Sequence, residues 1–292
     1  MTDTAALIGG AAARLPAIGL DGVLARSALQ LRMDRKYILP ARLAPELLDR
    51  IAETHAVLEI GGLRTFRYTS TYFDTPGLLT YRQHVQDRRR RFKIRTRTYL
   101  DSDECMFEVK VNGARDATDK RRMPYDPACR TRITPPAEDF LWETLLAAYR
   151  MNPPAPLVSS ATTSYRRVTL AQRRGTGRVT LDFGLVCTRP GARAWGRDDW
   201  LLVESKSAAV DAPADRLLRR MGARPVRISK YCLAVAVLYP GAVANPWHRV
   251  LRRCFDPADA VFDPAGHALD PARAPPAAAA PAGRPPGVTP GR

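Results

Sequence analysis

The sequence predicts an α+β fold in which an antiparallel β-barrel turns a charged face inward and covers its apolar outer face with helices. Three observations carry this. Short strand-like runs separated by turn residues recur from residue 31 to residue 207. On several of these runs Lys or Arg lies two residues from another charge, and so on the same strand face. Helix-period stretches fall between the runs.

Composition sets the class. The chain has 292 residues, 45% of them hydrophobic, enough for a core. Lys and Arg number 46 against 29 Asp and Glu, a net charge of +17 that calls for a polyanionic partner such as nucleic acid, nucleotide, polyphosphate or acidic membrane. Cys105, Cys129, Cys187, Cys232 and Cys254 are odd in number and form no CxxC pair, which argues against a disulfide framework and a zinc knuckle. With Asp3 where a secretory signal carries positive charge, and no apolar run near the roughly 18 residues that span a bilayer, the expected location is the cytoplasm, with any membrane attachment through a separate partner. Only six of the 46 basic residues are lysine: Lys36, Lys93, Lys110, Lys120, Lys206 and Lys230. In a chain this rich in Arg, a retained Lys marks a place for a compact ammonium.

The elements follow in order. Residues 1–28 form an N-terminal arm or short helix with no assigned function. The first strand, starting at Leu31, contains Asp34-Arg35-Lys36-Tyr37 and breaks at Pro40. Leu47, Leu48, Ile51 and Val57 predict a helix over 45–58. Strands follow over 64–73, 88–100, 106–112 and 120–124, punctuated by Asp74-Thr75-Pro76-Gly77, Asp101-Ser102-Asp103 and Asn112-Gly113. A helix over 140–149 ends at Pro153, Pro154 and Pro156. Strands over 160–170, 178–187 and 200–207 precede a helix over 213–221 that Gly222 caps. The folded unit therefore spans residues 29–245, and residues 246–292 form a Pro- and Ala-rich tail too poor in apolar surface to fold.

Parity assigns the charges. Arg91, Lys93, Arg95 and Arg97 share one face, with Phe92 and Ile94 opposite. Glu108 joins Lys110, Asp34 joins Lys36, Arg178 joins Thr180 and Asp182, and Glu204 joins Lys206. Any one such strand reads as an ordinary solvated face. Repetition of acid followed by Lys favours an enclosed polar tunnel, and so many like charges in a tunnel require a long anion to neutralise them. A triphosphate or polyphosphate suits Arg forks and Lys point charges, with carboxylates left to hold a divalent metal.

Nine motifs can be read together: Asp34-Arg35-Lys36-Tyr37, Tyr72-Phe73-Asp74-Thr75, Lys93-Ile94-Arg95-Thr96-Arg97-Thr98-Tyr99, Phe107-Glu108-Val109-Lys110, Lys120-Arg121-Arg122, Tyr165-Arg166-Arg167, Arg178-Val179-Thr180-Leu181-Asp182, Val203-Glu204-Ser205-Lys206 and Ser229-Lys230-Tyr231. In this order, over roughly residues 30–240, they resemble the VTC domain, a polyphosphate polymerase of the CYTH-like triphosphate tunnel metalloenzyme superfamily. The resemblance implies an eight-stranded antiparallel tunnel, Mn²⁺ or Mg²⁺ as cofactor, ATP and polyphosphate as substrates, and transfer of the ATP γ-phosphoryl group to a growing chain. By motif position it implies Lys36, Arg95, Arg97, Lys110 and Lys230 as catalytic residues. Lys93, Lys120, Arg122, Arg167, Arg178, Lys206 and Arg227 would bind phosphate, and Glu204 the metal, with Asp34, Glu108 and Asp182 as further carboxylates. Glu108 alternatively orients water or fixes Lys110 by a salt bridge, the latter being favoured.

Two departures stand out. Arg227 replaces a family lysine, and the first strand keeps only Asp34 and Lys36 of a wider pattern with two glutamates, which disfavours a two-metal site. The rival readings are hydrolysis of tripolyphosphate or a nucleoside triphosphate in the same tunnel, and a nucleic-acid-binding module. The second predicts exposed cations interleaved with aromatic residues, not cations sharing strand faces with acids. Gly175-Thr176-Gly177 reads as a hairpin turn, the four histidines as surface or packing residues, and the tryptophans as packing.

Overall fold

Strands whose two faces differ in chemistry build the molecule. The computed structural model describes residues 3–26, 33–113, 118–208 and 211–262. Its principal strands are β2 (Met33–Pro40), β4 (Phe66–Asp74), β5 (Phe92–Tyr99), β6 (Glu104–Asn112), β7 (Thr118–Tyr125), β8 (Val158–Gln172), β9 (Arg178–Arg189) and β11 (Trp200–Ser207). They pair antiparallel throughout in the order β2-β11-β9-β8-β4-β5-β6-β7. Shorter strands widen this sheet: β1 (Ala17–Ile18) runs parallel to β3 (His55–Leu58), which joins β8, while β10 (Ala192–Gly196) links β9 to β12 (Phe255–Phe262).

The outer face is apolar and covered. Phe92, Ile94, Phe107, Val109 and Val111 pack beneath helix α5 (Pro135–Tyr149) through Ala137, Leu141 and Leu145. Tyr37, Leu39, Leu181 and Val203 pack beneath α1 (Thr4–Ala13), α3 (Ala44–Ile51) and α6 (Pro213–Arg220). Each buried Leu, Ile or Phe in these layers contributes about 1.5–3 kcal/mol.

The inner face is charged along one stretch and aromatic along another. Helix α7 (Lys230–Leu238) is apolar around its circumference, as suits a helix buried on all sides, and it packs with inner-face Tyr68, Tyr72, Tyr165 and Leu202. Gly184, at φ +60°, opens a bulge in β9 where the pairing with β8 shifts register. The extra residue reverses parity, so Asp182 and then Leu185 and Cys187 face inward while Phe183 packs outside.

The sheet is rolled but not stitched. Lys110 on β6 lies close enough to Lys36 on β2 and Lys206 on β11 to be influenced by their charges, although these strands stand near opposite ends of the pairing order. The expected eight antiparallel strands are present, yet β2 and β7 are not hydrogen-bonded to each other. The free edge of β2 takes the segment before α7 instead: Val226 N donates to Lys36 O at 2.8 Å, and Pro225 bridges Tyr37.

Several boundaries differ from expectation. The helix over 45–58 stops at Ile51, because His55–Leu58 is a fully buried strand whose continuous apolar run carries no distinguishing period. Residues 88–91 precede β5 rather than belonging to it. The tail expected from residue 246 instead begins with α8 (His248–Cys254) and β12, anchored by buried Trp247, Cys254 and Phe255. The N-terminal arm contains α1 and α2 (Leu20–Arg26), with Ile8, Ala11, Ala12 and Leu15 buried. The start of the first strand at Leu31 and the tail beyond 262 lie outside the described residues. Among the described residues no helix is long and apolar enough to cross a membrane.

Candidate active site

Antiparallel register explains the order in which acids and lysines recur. On β2 and β11, Lys36 stands opposite Glu204 and Asp34 opposite Lys206. Two acid-x-Lys strands running in opposite directions thus place each acid against a lysine. Lys206 Nζ lies 3.1 Å from Asp34 Oδ2 and 3.3 Å from Glu204 Oε1, and Lys36 Nζ lies 3.6 Å from Glu204 Oε1. Burial alone would raise the Glu204 carboxyl, but Lys206, Lys36 and Lys110 hold it well below the usual range.

The other two inward carboxylates are clamped by arginine. Asp182 accepts from Arg167 Nε and Nη2 at 2.6 and 2.8 Å and also binds Lys230, whose ammonium lies 4.3 Å from the centroid of the Tyr165 ring. Glu108 Oε2 accepts from Arg95 Nε at 2.8 Å, and its Oε1 lies 3.3 Å from Lys120 Nζ. The expected Glu108–Lys110 salt bridge is replaced by these two. Alternate residues on one strand run side by side, whereas cross-strand neighbours such as Arg95 converge on the acid. Burial raises both carboxyls, and the adjacent cations outweigh it.

Three lysines are poorly compensated. Burial, then Lys206 and Lys36, push Lys110 down to about 7. Burial and the neighbouring Lys36, Arg91 and Arg95 push Lys93 down to about 8. Half-exposed Lys120 is pushed down to about 8 by desolvation and by Arg97 and Arg95, despite Glu108. Parity also places Arg97, Arg122 and Arg178 on this inner face: Arg97 Nε reaches Ser70 Oγ at 3.5 Å, Arg122 stands opposite Glu108, and Arg178 stands opposite Lys206.

A cavity of about 490 Å³ opens onto this face, and Asp34, Lys36, Lys93 and Lys110 line it. Arg227 also lines it but at the rim, its side chain 91% exposed and 3.7 Å from Asp87. Glu204 and Lys206 stand behind the wall, ion-paired to its Lys36 and Asp34. Arg95, Arg97, Arg167, Asp182, Glu108, Lys120 and Lys230 lie along the same inner face outside the immediate wall.

Sequence reasoning missed His84, Asn112, Ser229 and Cys232 in this wall. His84 sits on α4 (Leu79–Val85), its Nδ1 2.8 Å from Thr80 O; burial and Lys93 push it down to about 3, so it adds no charge at neutral pH. Asp74 is what places α4 and α7 around the cavity. Fully buried, it accepts from Thr80 N and Oγ1 at 2.9 and 2.8 Å, from Tyr81 N at 3.0 Å, and from the Tyr231 hydroxyl. Its spacing to Thr80 was the available signal. Ser229 caps α7, its Oγ accepting from Cys232 N at 3.1 Å.

For metal, the described residues hold no cluster of three or more His, Cys, Asp and Glu. Asp34 and Glu204 share Lys206 and are partly exposed, with side-chain exposures of 22% and 14%. Two carboxylates completed by phosphate oxygens from a substrate suit a hard divalent cation, which is often held in that way. Asp182 and Glu108, each 1% exposed and clamped by arginine, fit that role poorly.

The VTC domain family profile matches residues 31–239. No curated protein matches the chain. Among solved structures, the chain is similar to a Hippeastrum protein assigned as an adenylyl cyclase and described as having a dominant triphosphatase activity, at 15% identity over 72% of this chain and 98% of that chain, with a TM-score of 0.45. A Bacillus halodurans protein assigned as an adenylate cyclase is similar at 12% identity over 68% of this chain and 94% of that one, with a TM-score of 0.40.

Proposed function

The chain belongs to the VTC domain family, and on that premise we propose that it is a polyphosphate polymerase, passing the γ-phosphoryl group of ATP to the end of a polyphosphate chain and releasing ADP. One observation carries the reading: Lys93 and Lys110 line the cavity beside Lys36 with more positive charge than the carboxylates there balance, and Lys120 adds to it although Glu108 pairs with it. A multiply charged anion is the ligand that relieves it.

Phosphoryl transfer demands alignment and charge neutralisation more than a covalent nucleophile. Lys36, Lys93 and Lys110 supply point charges to the phosphates, and Arg95 and Arg167 present guanidiniums fixed by Glu108 and Asp182. Lys230, at the start of α7, approaches beside Tyr165 and Asp182. Asp34 and Glu204 would hold a divalent metal, which would supply Lewis-acid screening of the phosphate charge. Lys36 and Lys206, which pair with these carboxylates, would turn to phosphate oxygens when substrate binds.

The test is to incubate the purified protein with ATP and either Mn²⁺ or Mg²⁺ and to resolve the products by size. Long-chain polyphosphate with stoichiometric ADP is expected. Orthophosphate without polymer would replace the polymerase reading with triphosphate hydrolysis in the same tunnel.

A further inference from the structure

The segment Asp87-Arg88-Arg89-Arg90-Arg91 joins α4 to β5 and takes no part in the transfer step. Its ends lie on the rim of the cavity, since Asp87 and Arg91 both line it. The three arginines between them are exposed. The backbone that carries them is held. Arg88 N donates to Gln83 O at 2.9 Å, the Arg91 guanidinium to Arg88 O at 2.8 Å, and Asn112 Nδ2 to Arg89 O at 3.4 Å. Asp87, at φ +50°, reverses the chain at the end of α4.

A second hollow, of about 670 Å³, is walled by Leu79, Gln83, Gln86, Arg88, Arg89 and Arg90, with no acid among them. Arg88 Nε bonds the neutral Gln86 Oε1 at 2.9 Å. Asp87, the acid at this rim, is engaged by Arg91 at 3.2 Å and by Arg227 at 3.7 Å. A run of like charges is ordinarily a solvated surface. This one continues the charge of the tunnel past its mouth, on a fixed backbone beside a concavity.

We propose that Arg88, Arg89 and Arg90 form a binding site for the portion of a long polyphosphate chain that extends beyond the cavity mouth. The inference rests on the function proposed above and names a subsite for its polymer. A triphosphate is short enough to lie within the cavity, whereas a long chain has to cross the rim, where guanidinium forks meet its oxygens. The site thus recognises chain length and not the terminal triphosphate.

The test uses the full chain carrying Arg88→Ala, Arg89→Ala and Arg90→Ala together, with tripolyphosphate and long-chain polyphosphate as separate ligands, titrated across salt concentrations. Long-chain affinity should fall about 10-fold or more at low salt, and its logarithmic salt slope should shrink by about two, near 0.7–0.9 for each cation removed. Tripolyphosphate affinity should stay within about 2-fold. Lysine at the same three positions should restore much of the long-chain affinity. Unchanged long-chain affinity, or equal loss for both ligands, would overturn the proposal. So would single-stranded nucleic acid that binds as tightly as polyphosphate with the same sensitivity. A wild-type protein that makes no polymer from ATP but binds long chains through these arginines would defeat the polymerase reading and leave the site standing.

Discussion

Among the described residues, four strand carboxylates face the tunnel, and they divide into two kinds. Glu108 and Asp182 are each 1% exposed, and each is held by an arginine and a lysine, Arg95 with Lys120 and Arg167 with Lys230. Asp34 and Glu204 are more open and meet lysines, Lys36 and Lys206. Arginine forks fix the first pair in one geometry and leave few lone pairs free. Lysine, a flexible point charge, can move from carboxylate to phosphate at little cost in geometry. The first pair therefore builds the tunnel, and the second pair is free to work in it.

Substitution should separate the two. Asp182→Ala strands Arg167 and Lys230 in a buried setting and should cost about 3–5 kcal/mol, seen as a fall in Tm on the order of 10 °C. A stability within about 1 kcal/mol of wild type would remove the distinction. Glu204→Gln should leave the fold within about 1 kcal/mol while lowering metal-supported turnover on the order of 100-fold, with Mn²⁺ affinity falling alongside it. Undiminished Mn²⁺ binding would take Glu204 out of the metal role.

The smallest effect on the fold, and the most telling in sign, belongs to Lys110. Because burial and neighbouring cations disfavour its charge, Lys110→Met should raise the melting temperature of the ligand-free protein by a degree or so while weakening tripolyphosphate binding about 10-fold. Loss of stability together with loss of binding would mean that its charge is compensated.

The sequence was most readable where chemistry repeats at short range. Alternation along Phe92–Tyr99 and Glu104–Asn112 assigned Lys93, Arg95, Glu108 and Lys110 to the inner face, where the structure places them. Lys120, which the parity of the strands did not assign, faces Glu108. Partners were harder to read. The acid-x-Lys order suggested pairing along a strand, and of the three cases Glu204–Lys206 makes such a pair while Asp34 and Glu108 find cations on neighbouring strands. Contacts of that kind depend on register, and the approach of Lys110 to Lys36 depends on how the sheet rolls; neither is written in a local pattern. Helices α4 and α7 were missed because the first is short and the second is apolar on every side. The open seam between β2 and β7 has no local signature either.

The central claim is that Lys93, Lys110 and Lys120 are under-compensated on the tunnel face until an anion binds, and calorimetry of tripolyphosphate binding tests it most directly. Lys110 at about 7, and Lys93 and Lys120 at about 8, lie below the ordinary lysine value, so the unfolded chain holds these protons more tightly. Their penalty is fully present below pH 7 and eases as pH rises through these values. A bound anion restores their charge. Titrations at pH 8 in buffers of different ionisation enthalpy should show net uptake of roughly one to two protons, near none at pH 6, and affinity that declines from pH 7 to pH 8.5. Tight binding at pH 8 with no proton uptake would contradict the account.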